Sequence, residues 1–484
     1  MADILRPYQR QGIHNIFKEW RSGTRSVLFQ MPTGTGKTVL FSEIVKKGHD
    51  HQRKILIIAH RKELIAQIIG KLQSKNIETG VIVAGERSDY SKIVQVASIQ
   101  TLTRRVHPAA NLIIIDEAHH AKARSYKKLW QIYPDAKFLG VTATPVRLSG
   151  AGFDDLFDVL IPTQQIKDFI KDGYLSQIKH FIGATPDLKG VRRRQGDYVI
   201  EMLSRIMLDH ELMANLLESY QKVAAGKSTI VFAVNVDHSK RIAERYTKAG
   251  IAAAHIDGST PANERHLLLE QFRAKEIHVL SNVEIITEGF DFPECEVVQL
   301  ARPTKSLGLY LQMVGRVMRV AKGKTHGIVL DNAGLWLEHG LPTIDREWSL
   351  EGVKKNSQRD RNIDVVAKDR DGVLKEVTRT VPHEVEGLEL IEFTEELERL
   401  LVFETYLQNA KLRSHKLLAP YYRYIQYLEQ NKIQLSPGEF HYIKQRLNKL
   451  NAAADPEEGF KSGFWFVQEK KLKYHQTLQT HQTG

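Results

Sequence analysis

In the first 160 residues, five apolar runs (SVLFQM, KILIIAH, IVQVAS, NLIIIDEA and KFLGVTAT) alternate with stretches of helical periodicity such as TVLFSEIVKKGHD and RKELIAQIIGKLQSKN. The runs are continuous in Ile, Val and Leu and do not alternate apolar with polar, so each suits a strand buried on both faces. Strand and helix in turn predict a parallel sheet with helices packed on its two faces. The pattern returns after residue 225 with STIVFAV, AAAHID, IHVLSN, CEVVQLARP and HGIVLD, separated by helices such as VDHSKRIAERYTKAG. The chain therefore reads as α/β, with one unit over residues 1–160, a connector over 161–225, a second unit over 226–335, and a linker followed by a mainly helical region over 336–484.

Composition narrows the partners. The 484 residues are 42% hydrophobic and 26% charged, which suits about two to four folded domains and not a disordered chain. The formal net charge of +12 favours a polyanion. Cys295 is the single cysteine, so neither an intrachain disulfide nor a cysteine-clustered zinc site is expected, and a reducing compartment is. The opening MADILRPYQRQGI has no signal-peptide core, and no apolar run nears the roughly 20 residues that span a bilayer, so a cytoplasmic location without membrane contact is expected.

The stretch MPTGTGKT, residues 31–38, lies between a predicted strand and a predicted helix. A phosphate-binding loop needs inward-pointing backbone N–H groups, a helix N-terminus, a lysine for the β and γ phosphates and a hydroxyl for Mg²⁺. Gly34 and Gly36 allow the close backbone approach, with Thr33 and Thr35 between and before them; Lys37 supplies the charge and Thr38 the hydroxyl. Met31 stands where the longer G-x-x-x-x-G-K-[ST] pattern has glycine, so the match is to its second half, and a plain strand-to-helix turn is the competing reading. LIIIDEAHH places Asp116 and Glu117 at the carboxyl end of a strand, where ligands sit in such sheets. Asp116 is then a Mg²⁺ ligand beside Thr38, and Glu117 the group that polarises the attacking water; a solvated acidic strand end is the alternative.

MPTGTGKT, DEAH (Asp116 to His119), TAT (Thr142 to Thr144) and QMVGRVMR (Gln312 to Arg319) resemble, in order and spacing, motifs I, II, III and VI of superfamily 2 helicases and translocases. The resemblance runs over roughly residues 3–335 and implies two tandem RecA-like domains with ATP and Mg²⁺ between them. LRPYQ is similar to the family's adenine-recognition segment, which assigns Gln9, with Arg6, to the nucleotide. AHRKELIAQ and ASIQTL resemble motifs Ia and Ib, and TEGFD motif V. The family pattern makes Arg61, Gln100 and Thr101 in the first domain, and Thr287 and Gly289 in the second, contacts to the nucleic-acid backbone. It also places Gly289 and Asp291 near the nucleotide, makes Arg316 and Arg319 arginine fingers, and gives His119, Gln312, Thr142 and Thr144 the coupling of nucleotide state to grip. Without the resemblance, Arg316 and Arg319, three apart, read as two arginines on one face of a surface helix.

Within the superfamily the chain looks most like the RadD-like and XPB-like DNA helicases, and more distantly like the motor of type I restriction translocases. RadD-like proteins carry a cysteine-based zinc region that Cys295 alone cannot build. The resemblance implies an ATP-dependent DNA helicase or translocase of repair, recombination or defence, acting on single-stranded, forked or branched DNA. An RNA-remodelling helicase and a motor subunit of a restriction or defence nuclease complex are the alternatives.

Two segments stay ambiguous. Arg192, Arg193 and Arg194, consecutive in LKGVRRRQGDY, suit either a solvated connector or a nucleic-acid contact. Beyond residue 401, basic residues are interleaved with Tyr421, Tyr422, Tyr424, Tyr427, Phe464, Trp465, Phe466 and Tyr474, which suits either base stacking in a nucleic-acid clamp or helix packing in a core.

Overall fold

The computed structural model describes residues 5–120, 123–147, 150–183, 185–194, 196–286 and 292–352, and beyond them 365–368, 374–377, 391–393, 399–400, 403, 419–430, 433–436, 439–440 and 442–443. Thr287, Gly289 and Asp291 of the motif V stretch lie outside the described residues, as do Phe464, Trp465, Phe466 and Tyr474. The chain divides into two compact units, Met1–Asp360 with Glu386–Glu392, and Arg361–Val385 with Phe393–Gly484.

The larger unit holds both α/β sheets. The first contains β1 (Ser26–Gln30), β2 (Ile55–Ala59), β3 (Thr79–Ile82), β4 (Val94–Ser98), β5 (Leu112–Asp116), β6 (Lys137–Thr142) and β7 (Val159–Pro162), in the order β3-β4-β2-β5-β6-β1-β7, every pair parallel. The continuous apolar runs have a direct cause. Val27, Phe29, Ile55, Ile57, Val94, Val96 and Ile114 face one core with the helices Pro7–Arg21, Lys37–Asp50 and Lys62–Gln73. Leu28, Leu56, Ile58, Ala97, Ile113 and Ile115 face a second core with Leu129, Tyr133, Phe153 and Phe157. Successive residues of a strand point to opposite faces, so a strand covered on both sides must be apolar throughout.

The second sheet is built from β8 (Gln177–Ile182), β11 (Thr229–Phe232), β12 (Ala253–Ile256), β13 (Val279–Asn282), β14 (Val297–Leu300) and β15 (His326–Asp331), ordered β12-β13-β11-β14-β15-β8 and parallel. Between β8 and β11 lies a small antiparallel hairpin, β9 (Arg193–Arg194) with β10 (Asp197–Tyr198). β8 falls in the stretch expected to be only a connector. It pairs along six residues with β15, so this stretch supplies a strand; its alternation is broken by Lys179 and His180, which hid it. Cys295 is fully buried, donates to the Val297 carbonyl at 3.3 Å, and has its thiol pushed up to about 12 by burial, so it is an inert core residue.

After β15 and the short helix Leu335–His339 the chain returns to the first sheet's side. Arg346 donates to the carbonyls of Pro342, Ile344, His339 and Leu341 at 2.9–3.2 Å, which fixes this irregular strap internally. Gln165 and Arg346 exchange two amide hydrogen bonds (3.1 and 3.2 Å), and Lys167 pairs with Asp345 at 2.5 Å. The carbonyl of Leu350 accepts from Phe153 N (2.6 Å) and Asp154 N (3.1 Å), and Ala151 bridges Gly352. Gly152 permits this crossing, because a Cβ there would lie 1.7 Å from the Leu350 carbonyl oxygen.

Strand character was not expected beyond residue 336, yet β16 (Val365–Lys368) and β17 (Leu374–Val377) form an antiparallel pair in the smaller unit, and β18 (Ile391–Phe393) adds beside β8 in the second sheet. The overlooked signal is Asp371-Gly372 between two short apolar runs, a hairpin signature. In the helix Ala419–Gln430, Tyr424 is fully buried against Phe403 (ring centroids 5.7 Å), and its hydroxyl donates to Glu439 at 3.1 Å. Of the two readings of the C-terminal aromatics, Tyr424 takes the packing one. No described helix is long and apolar enough to cross a membrane.

Gly152 and Gly70 should respond to alanine with opposite sign. Gly70, exposed in the helix Lys62–Gln73 with open space around it, should gain about 0.5–1 kcal/mol on Gly70→Ala. Gly152→Ala should cost about 1–3 kcal/mol by forcing the strap away. Melting temperatures of the two variants check this; equal values would mean the strap is not held at Gly152.

Candidate active site

Three strand ends meet at the carboxyl edge of the first sheet. Register sets Gln30 beside Thr142 and Asp116 beside Val141, and Met31 N donates to the Thr142 carbonyl at 2.9 Å. The loop leaving β1, the acidic end of β5 and the TAT segment leaving β6 are thereby adjacent. The loop turns through Gly34 (φ +86°) and Gly36 (φ +94°), conformations that side chains rarely adopt, and enters the helix Lys37–Asp50, whose first turn carries Thr38.

The preceding helix, Pro7–Arg21, clamps this loop from its own N-terminus. Gln9, 3% exposed, donates from Nε2 to the carbonyls of Thr35 and Gly36 at 3.3 Å, and its Oε1 accepts from Arg6 N at 2.9 Å. Tyr8 donates its hydroxyl to the Thr35 carbonyl at 2.7 Å and itself accepts from Arg6 at 3.0 Å. Burial raises the Tyr8 phenol, against the lowering effect of Arg6, so it stays a neutral donor. Arg6 also lies over the ring of Tyr174, 5.2 Å from its centroid. Tyr8 lies within LRPYQ but was given no role there, and Tyr174 carries no motif signal; ring packing between them (4.9 Å) is a long-range contact.

Lys37 is nearly buried, with Nζ 3.6 Å from Glu117 Oε1 and 3.5 Å from the Met31 carbonyl. Asp116 is 5% exposed, and its Oδ1 accepts from Glu117 N at 3.0 Å. Glu117 has φ +48°, a backbone conformation costly for a residue with a side chain, which swings its carboxylate off the line of β5. Its Oε2 is 3.3 Å from His119 Nδ1, which is also 3.1 Å from Thr142 Oγ1. Thr142 Oγ1 donates to the Thr144 carbonyl at 3.0 Å and accepts from Thr144 N at 3.1 Å. His119 Nε2 accepts from the Gln312 amide at 3.0 Å. That bond sets the tautomer: with Nε2 accepting, the ring proton sits on Nδ1 and points to Thr142 and Glu117.

Gln312 belongs to the helix Leu307–Gly315 beside the second sheet, capped by Ser306, whose Oγ accepts from Leu309 N at 3.1 Å. The helix stops at Gly315, so Arg316 and Arg319 lie on the turn that follows and not, as expected, on one helix face. Gly315 lets this turn touch the loop, since a Cβ there would stand 2.6 Å from Thr33. A Cβ on Gly34 would be 3.4 Å from Arg319 Cγ, so Arg319 packs directly on the glycine loop, and Arg316 is 6% exposed. The donors around Lys37 suit Mg²⁺, a hard cation that takes one or two carboxylates and a hydroxyl and leaves the rest to phosphate and water: Asp116, Glu117 and Thr38 are all oxygen donors. Among the described residues no group of three or more His, Cys, Asp or Glu forms a cage of its own.

The expected nucleic-acid contacts fall elsewhere. Arg61 donates to the carbonyl of Glu284, a residue at φ +60° leading out of β13, and Arg302 pairs with the Glu284 carboxylate at 2.9 Å. Arg61 and Glu284, with Asp257, Ser259 and Ile285, line an open cleft of about 340 Å³. Gln100 donates to the His60 carbonyl at 3.3 Å; Thr101 is buried, its N–H and hydroxyl both engaged by Ser98. Arg265 pairs with Glu63 at 3.4 Å, a further contact between the two α/β layers that had no sequence signal. Arg192 and Arg193 are exposed on the β9–β10 hairpin.

Residues 3–147 match the family described as type III restriction enzyme, res subunit, and residues 209–321 match the helicase conserved C-terminal domain. A 51.5 kDa protein of a Lactococcus phage is 35% identical over 69% of this chain and 72% of its own length. The Saccharomyces cerevisiae protein named "Putative ATP-dependent helicase IRC3" is 31% identical over 69% of this chain, which spans only 52% of that protein. Among solved structures, a fragment described as a "putative HsdR subunit of a type I restriction enzyme" from Vibrio vulnificus YJ016 superposes with a TM-score of 0.55 at 22% identity, covering 69% of this chain and 65% of that one, a likeness of fold. With two α/β layers, a glycine loop against the acidic end of a buried strand and these matches, the chain belongs to the superfamily 2 helicases and translocases.

Proposed function

We propose that the protein is a DNA-dependent ATPase that converts hydrolysis in the cleft between its two α/β layers into movement along DNA. The observation that carries this reading is the unbroken chain Lys37, Glu117, His119, Gln312, which links the phosphate loop to the second layer in steps of 3.0–3.6 Å. A static nucleotide-binding protein has no use for such a link.

In this reading the backbone N–H groups of residues 33–38 and the Lys37 ammonium hold the β and γ phosphates. Mg²⁺, held by Thr38 and Asp116, would neutralise phosphate charge. Glu117 orients a water and accepts its proton, leaving Lys37 to the phosphate when substrate enters. Gln9 and Arg6 address the adenine. Arg316 and Arg319 meet the γ phosphate only when the layers are closed, so hydrolysis depends on closure. His119 senses the charge on Glu117 through Nδ1–H and passes it to Gln312 and, through Thr142, to the Thr144 backbone. Arg61, Gln100, Thr101, Thr287 and Gly289 are the proposed backbone grip, sequence-independent and salt-sensitive. Gly289 and Asp291 complete the nucleotide side. The match of residues 3–147 to a restriction subunit family favours a second reading, a motor that serves a separate nuclease subunit.

Glu117→Gln keeps the shape and the backbone strain but cannot accept the proton. ATP hydrolysis should fall at least about 10²-fold while nucleotide binding persists. Hydrolysis measured without nucleic acid and with single-stranded, duplex and forked DNA and RNA tests the polymer. Stimulation by RNA alone would replace DNA by RNA, and stimulation by neither would favour the subunit reading.

Arg316→Ala and Arg319→Ala should each lower kcat by about 10³-fold with a smaller change in the KM for ATP. Steady-state kinetics decide it: a rise in KM alone would make these arginines simple binding residues.

A further inference from the structure

The three exposed arginines Arg192, Arg193 and Arg194 are carried by a hairpin whose base is rigid. Arg193 and Arg194 pair with Tyr198 and Asp197, and Val199 N donates to the Arg192 carbonyl at 2.9 Å. Below the tip, Tyr198 and Leu188 pack on a small core of Leu203, Met207 and Val234. A solvated connector needs no such anchoring.

The hairpin is tied to the start of the Gln312 helix. Asp197 Oδ2 accepts from the Thr304 hydroxyl at 2.6 Å, and Oδ1 accepts from Lys305 N at 2.8 Å. Lys305 lies over the Tyr198 ring, 5.4 Å from its centroid, and pairs with Glu338. Thr304 Oγ1 then accepts from Ser306 N at 3.0 Å, and Ser306 is the cap of the helix Leu307–Gly315. The Thr304 carbonyl is held by His339 Nε2 at 2.9 Å; burial pushes this imidazole down to about 4, so it is a neutral donor near pH 7. From the arginine tip to the turn that carries Arg316 and Arg319 there is thus a continuous series of hydrogen bonds and one helix.

We propose that Arg192, Arg193 and Arg194 grip the DNA phosphate backbone, and that Asp197 is the positioning residue that relays this grip to the Arg316–Arg319 turn. This rests on the motor reading above. Along the paired strand Arg192 and Arg194 fall on one face of the hairpin and Arg193 on the other, so exposed cations on a preorganised support can meet phosphate oxygens without reading bases.

The test uses the full chain, with DNA binding followed by fluorescence anisotropy over a salt series and ATPase stimulation by the same DNA. In R192Q/R193Q/R194Q the slope of log K against log salt should become shallower by about 2, with Kd up about tenfold or more. Asp197→Ala and Thr304→Val should bind DNA within about twofold of wild type but lose about fivefold or more of maximal stimulation, each read against its own DNA-free rate. Asp197→Asn, which keeps one acceptor oxygen, should recover part of it. Thr304→Val, close to isosteric, keeps the relay testable if Asp197→Ala melts early. A wild-type salt slope in the triple variant would overturn the grip, and wild-type stimulation in both relay variants would overturn the relay. If DNA fails to stimulate the wild type, the motor reading falls and the relay with it, while the salt slope still decides the grip.

Discussion

Glu117 is held between Lys37 and His119, at 3.6 and 3.3 Å. Almost everything else in the larger unit is arranged so that one carboxylate can stand there. The apolar strands are buried on both faces and bring β5 level with β1 and β6; the positive φ of Glu117 turns the side chain out of the sheet; Gly34 and Gly36 let the loop fold under it. In such a position the carboxylate faces the Lys37 ammonium on one side and the Nδ1–H of the His119 ring on the other. The same imidazole meets Gln312 through Nε2 at 3.0 Å, so one ring joins the carboxylate to the far side of the cleft.

The parts of this arrangement legible in the sequence are those whose chemistry is local. A phosphate loop needs its glycines, lysine and hydroxyl within eight residues, and a strand buried on both faces must be apolar at every position, so MPTGTGKT, LIIIDEAHH and the two sets of strands announced themselves. The parts that stayed hidden are set by distant partners. Asp197 is 107 residues from Thr304, Gln165 is 181 from Arg346, and Tyr8 meets Tyr174 through ring packing alone. The placement of Arg316 and Arg319 on one helix face failed for a simpler reason: three-residue spacing implies a shared face only while the helix continues, and Gly315 ends it.

Tyr424 illustrates the converse. Its basic, aromatic surroundings suit nucleic-acid stacking, but the ring is sealed against Phe403 and its hydroxyl is spent on the buried Glu439, which Arg399 neutralises at 2.7 Å. An aromatic beside basic residues is only available to a base if its face is open, and sequence spacing does not report that.

The strap over residues 341–352 has a mechanical consequence. The chain crosses between the two α/β layers once through residues 163–176 and again, in the opposite sense, through the strap, and the paired amides of Gln165 and Arg346 with the Lys167–Asp345 ion pair lash the crossings side by side. Two bodies joined by a single thread can tumble in any direction. Joined by two threads bound into one seam, they open like a book about its spine, and any twist of one cover relative to the other has to tear stitches first. For the closing motion proposed above, such a seam leaves close to a single angle, and each return along it would bring Arg316 and Arg319 back to the Gly34 loop.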